Sequence, residues 1–297
     1  MSASGELPRL DAVIFADTQG ELPETYLYVD YIETQLDKDN IPLVRVTAGS
    51  LEQTLLLTER TGRNPTPPSH VINPDGSKGR VSAYKCSWDF KRALITRETK
   101  RLCGSRGEWK RSTVEQWIGM SVDELSRCKP DPECRCGHNR TRPDYKDGRQ
   151  RGHVPSCTDC ACEKFDPWRI NRWPLVESGM RRSDTIRWFE QNGHPTPPRS
   201  ACWFCPNQGN ARWRTLKETH PDLWERACQL DEHIRDGGAF TQRGNQPFMG
   251  KMFLHGSTIP LRSADLRLAT EVIEANGQEA LFDAESGMAC AAGVCFT

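Results

Sequence analysis

The chain has 297 residues, and its 40 Lys and Arg balance 40 Asp and Glu. That length suits one large or two small domains, and the zero net charge excludes a global pull toward nucleic acid or a membrane surface. No apolar run approaches the roughly 20 residues of a membrane helix, and no basic stretch followed by an apolar one opens the chain. The expectation is a soluble, cytoplasmic protein with no membrane partner. Thirteen cysteines, an odd number clustered with histidines, then point to metal more than to a disulfide framework.

In chain order, residues 13–16 form a short apolar run suited to a strand buried on both faces. It ends in the polar turn Asp17-Thr18-Gln19-Gly20. Pro23 follows at a first helical position, with Glu24 in the first turn near the positive end of the helix dipole. Tyr28, Ile32 and Leu36 share one face of the helix this predicts over 25–39. Residues 41–47 read as a second strand. Ser50 caps a helix to about Arg60, with Leu51, Leu55, Leu56 and Leu57 on its buried side. The turn signal Asn73-Pro-Asp-Gly76 separates Val71-Ile72 from Arg80-Val81. Strand and helix alternate as in an α/β sheet protein.

A helix is expected from about 86 to 102. The segment 91–111 is the clearly basic one: Lys91, Arg92, Arg97, Lys100, Arg101, Arg106, Lys110 and Arg111 stand against Glu98 and Glu108. It suits either a phosphate contact or a solvated helix face. Residues 113–119 read as a strand, and Ser121 with Glu124 three residues on makes a capping box opening the next helix.

From 128 to 162 the character changes. Apolar periodicity vanishes, so a hydrophobic core cannot hold this segment, and metal can supply the folding energy instead. Cys134-x-Cys136-x-His138 and His153-x3-Cys157-x2-Cys160-x-Cys162 are two ligand knuckles. Tetrahedral zinc takes four such ligands, and the surplus leaves one zinc or two open. The preferred single set is Cys134 or Cys136 with His153, Cys157 and Cys160. The chain thus divides into an α/β core over 1–127, a Cys/His-rich insertion over 128–166, and the rest of the core with C-terminal helices over 167–297.

Beyond the insertion, residues 181–191 form a helix with Ile186 and Phe189 inward, stopped at Gly193. Cys202-x2-Cys205 can bite one metal or one cluster edge, or serve as a redox dithiol. Two helices follow, over 207–217 and 220–235, with Trp213, Leu216, Leu223, Trp224 and Ala227 in the core. Residues 242–257 read as a loop, and Ser263 caps a last helix to about 276.

Two of these stretches carry a resemblance. Phe15-Ala-Asp-Thr-Gln-Gly-Glu-Leu-Pro-Glu-Thr25 resembles the F-x-D-T-G-x-x-x-P-E-T signature of the phosphoadenylyl-sulfate (PAPS) reductase family, within the PP-loop ATP pyrophosphatases or adenine nucleotide alpha-hydrolases. His194-Pro-Thr-Pro-Pro-Arg-Ser-Ala-Cys-Trp-Phe-Cys-Pro206 is similar to the family's G-x-x-P-P-x-S-x-C-x-x-C-P. The resemblance implies an open, mostly parallel twisted sheet with flanking helices. It also implies an adenine nucleotide, ATP or PAPS, lined by Asp17, Thr18 and Glu24, with Lys91 near the active site and Glu124 and Arg127 on the phosphate or substrate side. In relatives of the family the CxxC pair helps hold a 4Fe–4S cluster. The resemblance makes Cys86, Cys202 and Cys205 the candidates for that role, with Cys103, Cys228, Cys290 and Cys295 open as a fourth ligand.

The implied chemistry is adenylation with release of pyrophosphate, or reduction of a sulfonucleotide. A nucleic-acid sulfur-transfer or base-modification enzyme is the rival, and a non-catalytic metal-binding remnant is the third class. The family's Ser-Gly-Gly-x-Asp-Ser phosphate loop is not found in residues 1–10, and Met1 is expected to be an internal methionine of a longer reading frame. No catalytic residue is assigned, because neither Cys290 nor Cys295 reproduces the family's C-terminal catalytic motif.

Overall fold

The computed structural model describes residues 5–57, 66–81, 85–104, 114–128, 141–146, 149–155, 169–237, 248–268 and 271. These form a mixed α/β protein with small parallel and antiparallel sheets. The chain divides into two compact units, one of residues 1–98 with 197–297 and the other of residues 99–196.

In the first unit, β1 (Val13–Asp17) pairs in parallel with β2 (Leu43–Thr47), from Val13 opposite Leu43 to Asp17 opposite Thr47. Ala16 is the one buried position of β1 and its other residues are half-buried. The expectation of a strand buried on both faces is corrected accordingly: β2 is its one paired neighbour among the described residues. Helix α1 (Pro23–Asp37) crosses between the two strands, with Pro23 at its start as expected and Glu24 in the first turn. It stops where Asn40 takes a left-handed φ of 52° and the Leu36 carbonyl accepts from the N–H of Asp39 and of Ile41. Such a left-handed residue with paired carbonyl bonds is a common way to end a helix.

Ser50 caps α2 (Leu51–Leu56), its hydroxyl accepting from the Gln53 N–H. The helix ends short of the expected Arg60, since Leu57 is already extended. Leu51 and Leu55 are buried while Leu56 and Leu57 are exposed, so four consecutive-looking leucines split into an inner pair and an outer pair. The expected turn at 73–76 joins β3 (His70–Ile72) to β4 (Lys78–Arg80) in an antiparallel hairpin. A one-turn π-helix, Trp88–Arg92, leads directly into α3 (Ala93–Leu102).

Helices α6 (Asn210–Thr219) and α7 (Pro221–His233) supply the largest share of the core. Trp213, Leu216, Leu223, Trp224 and Ala227 are all buried as their helical spacing predicted, and the Trp213 and Trp224 rings meet edge to face at 6.3 Å. The same core takes in Leu51, Leu55, Val71, Phe90, Trp203 and Phe204. The segment read as a loop over 242–257 contains a strand, β9 (Lys251–Phe253), antiparallel to β3. Asp231, fully buried, accepts from the N–H of Leu254 at 2.7 Å and of Leu261 at 2.9 Å, and pairs with Arg235. It anchors the backbone on both sides of that turn. Ser263 ends a short 3-10 turn, Leu261–Ser263, and 264–268 are not helical. The helix expected from Ser263 therefore does not begin there.

In the second unit, β5 (Val114–Trp117) and β8 (Arg169–Arg172) form a parallel pair. Residues 141–146 and 149–155 of the insertion pair as an antiparallel hairpin, β6 (Thr141–Lys146) and β7 (Arg149–Pro155), with an irregularity at Asp144/Tyr145. No secondary structure was expected there. Helices α4 (Pro174–Glu177) and α5 (Arg182–Gln191) follow. The Asp123 carboxylate accepts from the Arg182 N–H at 2.7 Å, satisfying one of the unpaired donors at the α5 N-terminus. Gly193, at a φ of 67°, closes that helix as its sequence position predicted.

Candidate functional site

The loop after β1 and the Cys202–Cys205 segment, far apart in sequence, interlock in the first unit. Thr18 Oγ1 and Cys202 Sγ share a hydrogen bond of 3.2 Å. One residue on, the Trp203 N–H donates to the Gly20 carbonyl at 2.8 Å. Gly20 is required for this approach, because a Cβ there would lie 2.9 Å from the Phe204 ring and 3.5 Å from Cys202 Sγ. The two residues between the cysteines explain why the segment is held so firmly. Trp203 and Phe204 are both buried in the core, edge to face at 4.7 Å, and the Arg226 guanidinium, itself paired with Glu52, lies 5.0 Å over the Trp203 ring. Cys202 and Cys205 are thus carried on a turn whose apolar centre is buried, and the Cys205 N–H closes that turn on the Cys202 carbonyl at 2.9 Å.

Glu21, Lys91 and Cys86 are close enough to Cys202 for their charges to act on its thiol. Burial pushes the Cys202 thiol up to about 12; the Lys91 ammonium draws it down, and the charges of Glu21 and Cys86 push it up again. Glu21 Oε1 lies 3.4 Å from Lys91 Nζ. Cys86 and Cys202 both pack against the same core. The turn thus brings together Thr18, Lys91, Cys86 and Cys202 from the expected set, and adds Glu21, which the sequence did not single out.

Asp17 is close by in sequence, and its carboxylate is occupied locally. Asp17 Oδ1 accepts from the Gln19 N–H at 2.7 Å and from the Tyr26 hydroxyl at 2.9 Å. Gln19 takes a left-handed φ of 54° to make this turn. Burial, then the bond to Asp17, raises the Tyr26 phenol well above its usual range, so Tyr26 stays a donor. Glu24 is exposed on the first turn of α1, with Oε1 2.7 Å from His220 Nε2. Tyr26 and His220 are two partners with no signal in the sequence, since neither belongs to a motif.

Glu124 and Arg127 belong to the second unit, on the 3-10 turn Val122–Arg127. The capping box expected of Ser121 and Glu124 is not formed. The Ser121 side chain makes no capping bond, and Glu124 has φ −112° and ψ 18°, outside the helical range. The spacing is right, but the Glu124 N–H, from which the Ser121 hydroxyl would accept, is bonded to the Ser121 carbonyl at 2.9 Å. Of Arg127 the backbone alone is described.

The metal expectations fall into two groups. Cys134, Cys136, Cys157, Cys160 and Cys162 lie outside the described residues, as do Cys290 and Cys295. His153 sits on β7 opposite Pro143 in the hairpin register. For the cluster, no three His, Cys, Asp or Glu side chains among the described residues stand close enough to hold a metal ion. The charge of Cys86 acts on Cys202, while zinc and iron–sulfur clusters usually take four donors. Of the fourth-ligand candidates, Cys228 is fully buried within the core, its thiol pushed up to about 11 by burial. Cys103 belongs to the second unit.

Among the described residues, no helix is long and apolar enough to cross a membrane. No family model matches the chain, and no curated protein and no solved structure matches it.

Proposed function

We propose that the chain is a PAPS reductase-like enzyme that binds an adenine nucleotide beside the junction of the β1–α1 loop with the Cys202–Cys205 turn. The observation that carries this reading is the 3.2 Å contact of Thr18 with Cys202 across 184 residues. These residues belong to the two stretches whose resemblance to the family was independent of each other, and chance resemblance gives no reason for them to meet. The site also lies beyond the carboxyl end of a parallel strand, where ligands of open α/β sheets bind. On this reading the β1–β2 pair is part of the open parallel sheet that the resemblance implies.

The roles follow from charge and position. Lys91 supplies a fixed cation for a phosphate or sulfate group, and preorganised cations and backbone amides are the main source of catalysis in phosphoryl and adenylyl transfer. Thr18 offers a hydroxyl, and the Asp17–Tyr26 bond keeps the loop in shape. Zinc is assigned to the insertion through Cys134, Cys136, His153, Cys157, Cys160 and Cys162. Isothermal titration of ATP and of PAPS into the protein tests the reading. Saturable binding of either nucleotide is expected, and no heat from both would leave the metal-binding remnant in its place.

One observation favours the nucleic-acid alternative. Trp88 is 53% exposed, the Arg92 guanidinium lies 5.2 Å over its ring, and the helix it leads into ends in Lys100 and Arg101. An exposed aromatic beside cations is a platform on which a base can stack. Binding of single-stranded DNA or RNA that weakens steeply with salt, and is lost in Trp88→Ala, would support this reading.

A further inference from the structure

Glu21 is the residue of the site that folding alone does not account for. Its side chain has no solvent exposure. One carboxyl oxygen faces Lys91 at 3.4 Å, longer than the roughly 2.7–2.9 Å of a close charge-assisted bond. The other oxygen is buried with no hydrogen-bond partner among the described residues. A buried carboxyl left half-satisfied is costly, and a hydrophobic residue at this position would fold more cheaply.

Its surroundings are electropositive. The Lys91 side chain retains 16% exposure, whereas that of Glu21 retains none. Helix α1 begins two residues after Glu21; its Thr25 N–H is taken by the Leu22 carbonyl at 2.9 Å, and no side chain caps it. The positive end of its dipole favours an anion nearby. The other carboxylate of that turn, Glu24, is exposed and engaged with His220. Glu21 therefore sits at the cation that an oxyanion would use.

We propose that Glu21 is an internal counter-anion that competes with the ligand's oxyanion for Lys91, and that its unpartnered oxygen accepts a hydrogen bond from a hydroxyl or amino group of the same ligand. The proposal rests on the reading of Lys91 as the cation for the ligand. Glu21 then determines specificity. A bare tetrahedral oxyanion meets the repulsion of a buried carboxylate and binds weakly. A ligand carrying both an oxyanion and a donor, as a nucleotide does, satisfies both members of the pair. Rejection of the wrong ligand by an unpaired buried group is an effective discriminator.

The test uses inorganic sulfate, at constant ionic strength against chloride, with the intact wild-type chain, Glu21→Gln, Glu21→Asp and the Glu21→Gln/Lys91→Met double variant. Sulfate affinity is read by calorimetry and by the sulfate-dependent rise in melting temperature. Glu21→Gln is expected to bind sulfate about fivefold or more tightly than wild type, since like charges at one site repel strongly. Glu21→Asp, which draws the carboxylate back from Lys91, should gain less, and the double variant should lose the gain. Should Glu21→Gln not fold, the gain in Glu21→Asp carries the test. Sulfate binding no tighter in the single variants than in wild type, or a gain that persists without Lys91, would overturn the proposal. A sulfate gain alongside no binding of ATP or PAPS would keep the counter-anion role and remove the nucleotide reading, so the two fail separately.

Discussion

Gly20 and Glu21 are adjacent residues whose importance has different visibility. Gly20 stands at the glycine of the D-T-x-G turn, and the structure gives its reason: the Phe204 ring would be 2.9 Å from any Cβ. Gly20→Ala is accordingly expected to destabilise the protein by about 1–3 kcal/mol, the usual cost of overpacking, read from the midpoint of denaturant unfolding. Full stability in that variant would show that Phe204 yields easily. Asp231 makes a second prediction at this scale. Its buried carboxylate serves two backbone N–H groups and Arg235, so Asp231→Ala should cost about 3–5 kcal/mol, as breaking a buried charge pair does, in the same measurement. Glu21 and Asp231 were not legible as buried. Acidic side chains are rarely buried unless paired, and the partners that bury them come from distant parts of the chain.

At the scale of elements, the readings that succeeded rest on local physics. The α1 start at Pro23, the Ser50 cap and the apolar spacing of α6 and α7 are written within a few residues of each other. Those that failed depend on distant pairing or on chain geometry. Lys251–Phe253 is too short to read as a strand, and it becomes one by pairing with His70–Ile72, nearly 180 positions earlier. Ser121 and Glu124 have the capping spacing but occupy a 3-10 turn. The β3 and β9 region also carries a pH dependence. Burial, with Arg80 adding to it, pushes the His70 imidazole below its usual range, and burial does the same to His255 against the opposing charges of Asp231 and Asp265. The unfolded chain takes up protons on these histidines from about pH 6.5 downward, before the native state does. Their contribution to stability is therefore complete above that pH and is lost as pH falls through the lower native values. Urea unfolding between pH 7 and pH 5.5 should show a steeper loss in wild type than in His70→Gln. Equal slopes would mean that His70 charges without penalty.

For the whole molecule, the two-unit division places the convergent loops in one unit and Glu124, Arg127 and the Cys/His insertion in the other. The zinc proposed for the insertion rests on cysteine and histidine spacing alone. Elemental analysis of anaerobically purified protein should give about one or two zinc ions per chain, the number that four-ligand sites allow, and chelation should release them. A chain without zinc would contradict the insertion's assignment. The α/β character was legible from alternating strand and helix signals, while the meeting of Thr18 with Cys202 was not, since no local pattern encodes a contact between loops so distant. A nucleotide bound where those loops meet can be labelled in place with an azido derivative of ATP. Label is expected on the peptides containing residues 17–25 or 199–208, suppressed by unlabelled ATP and reduced in Lys91→Met. Label confined to other peptides, or label that ATP does not suppress, would contradict that placement.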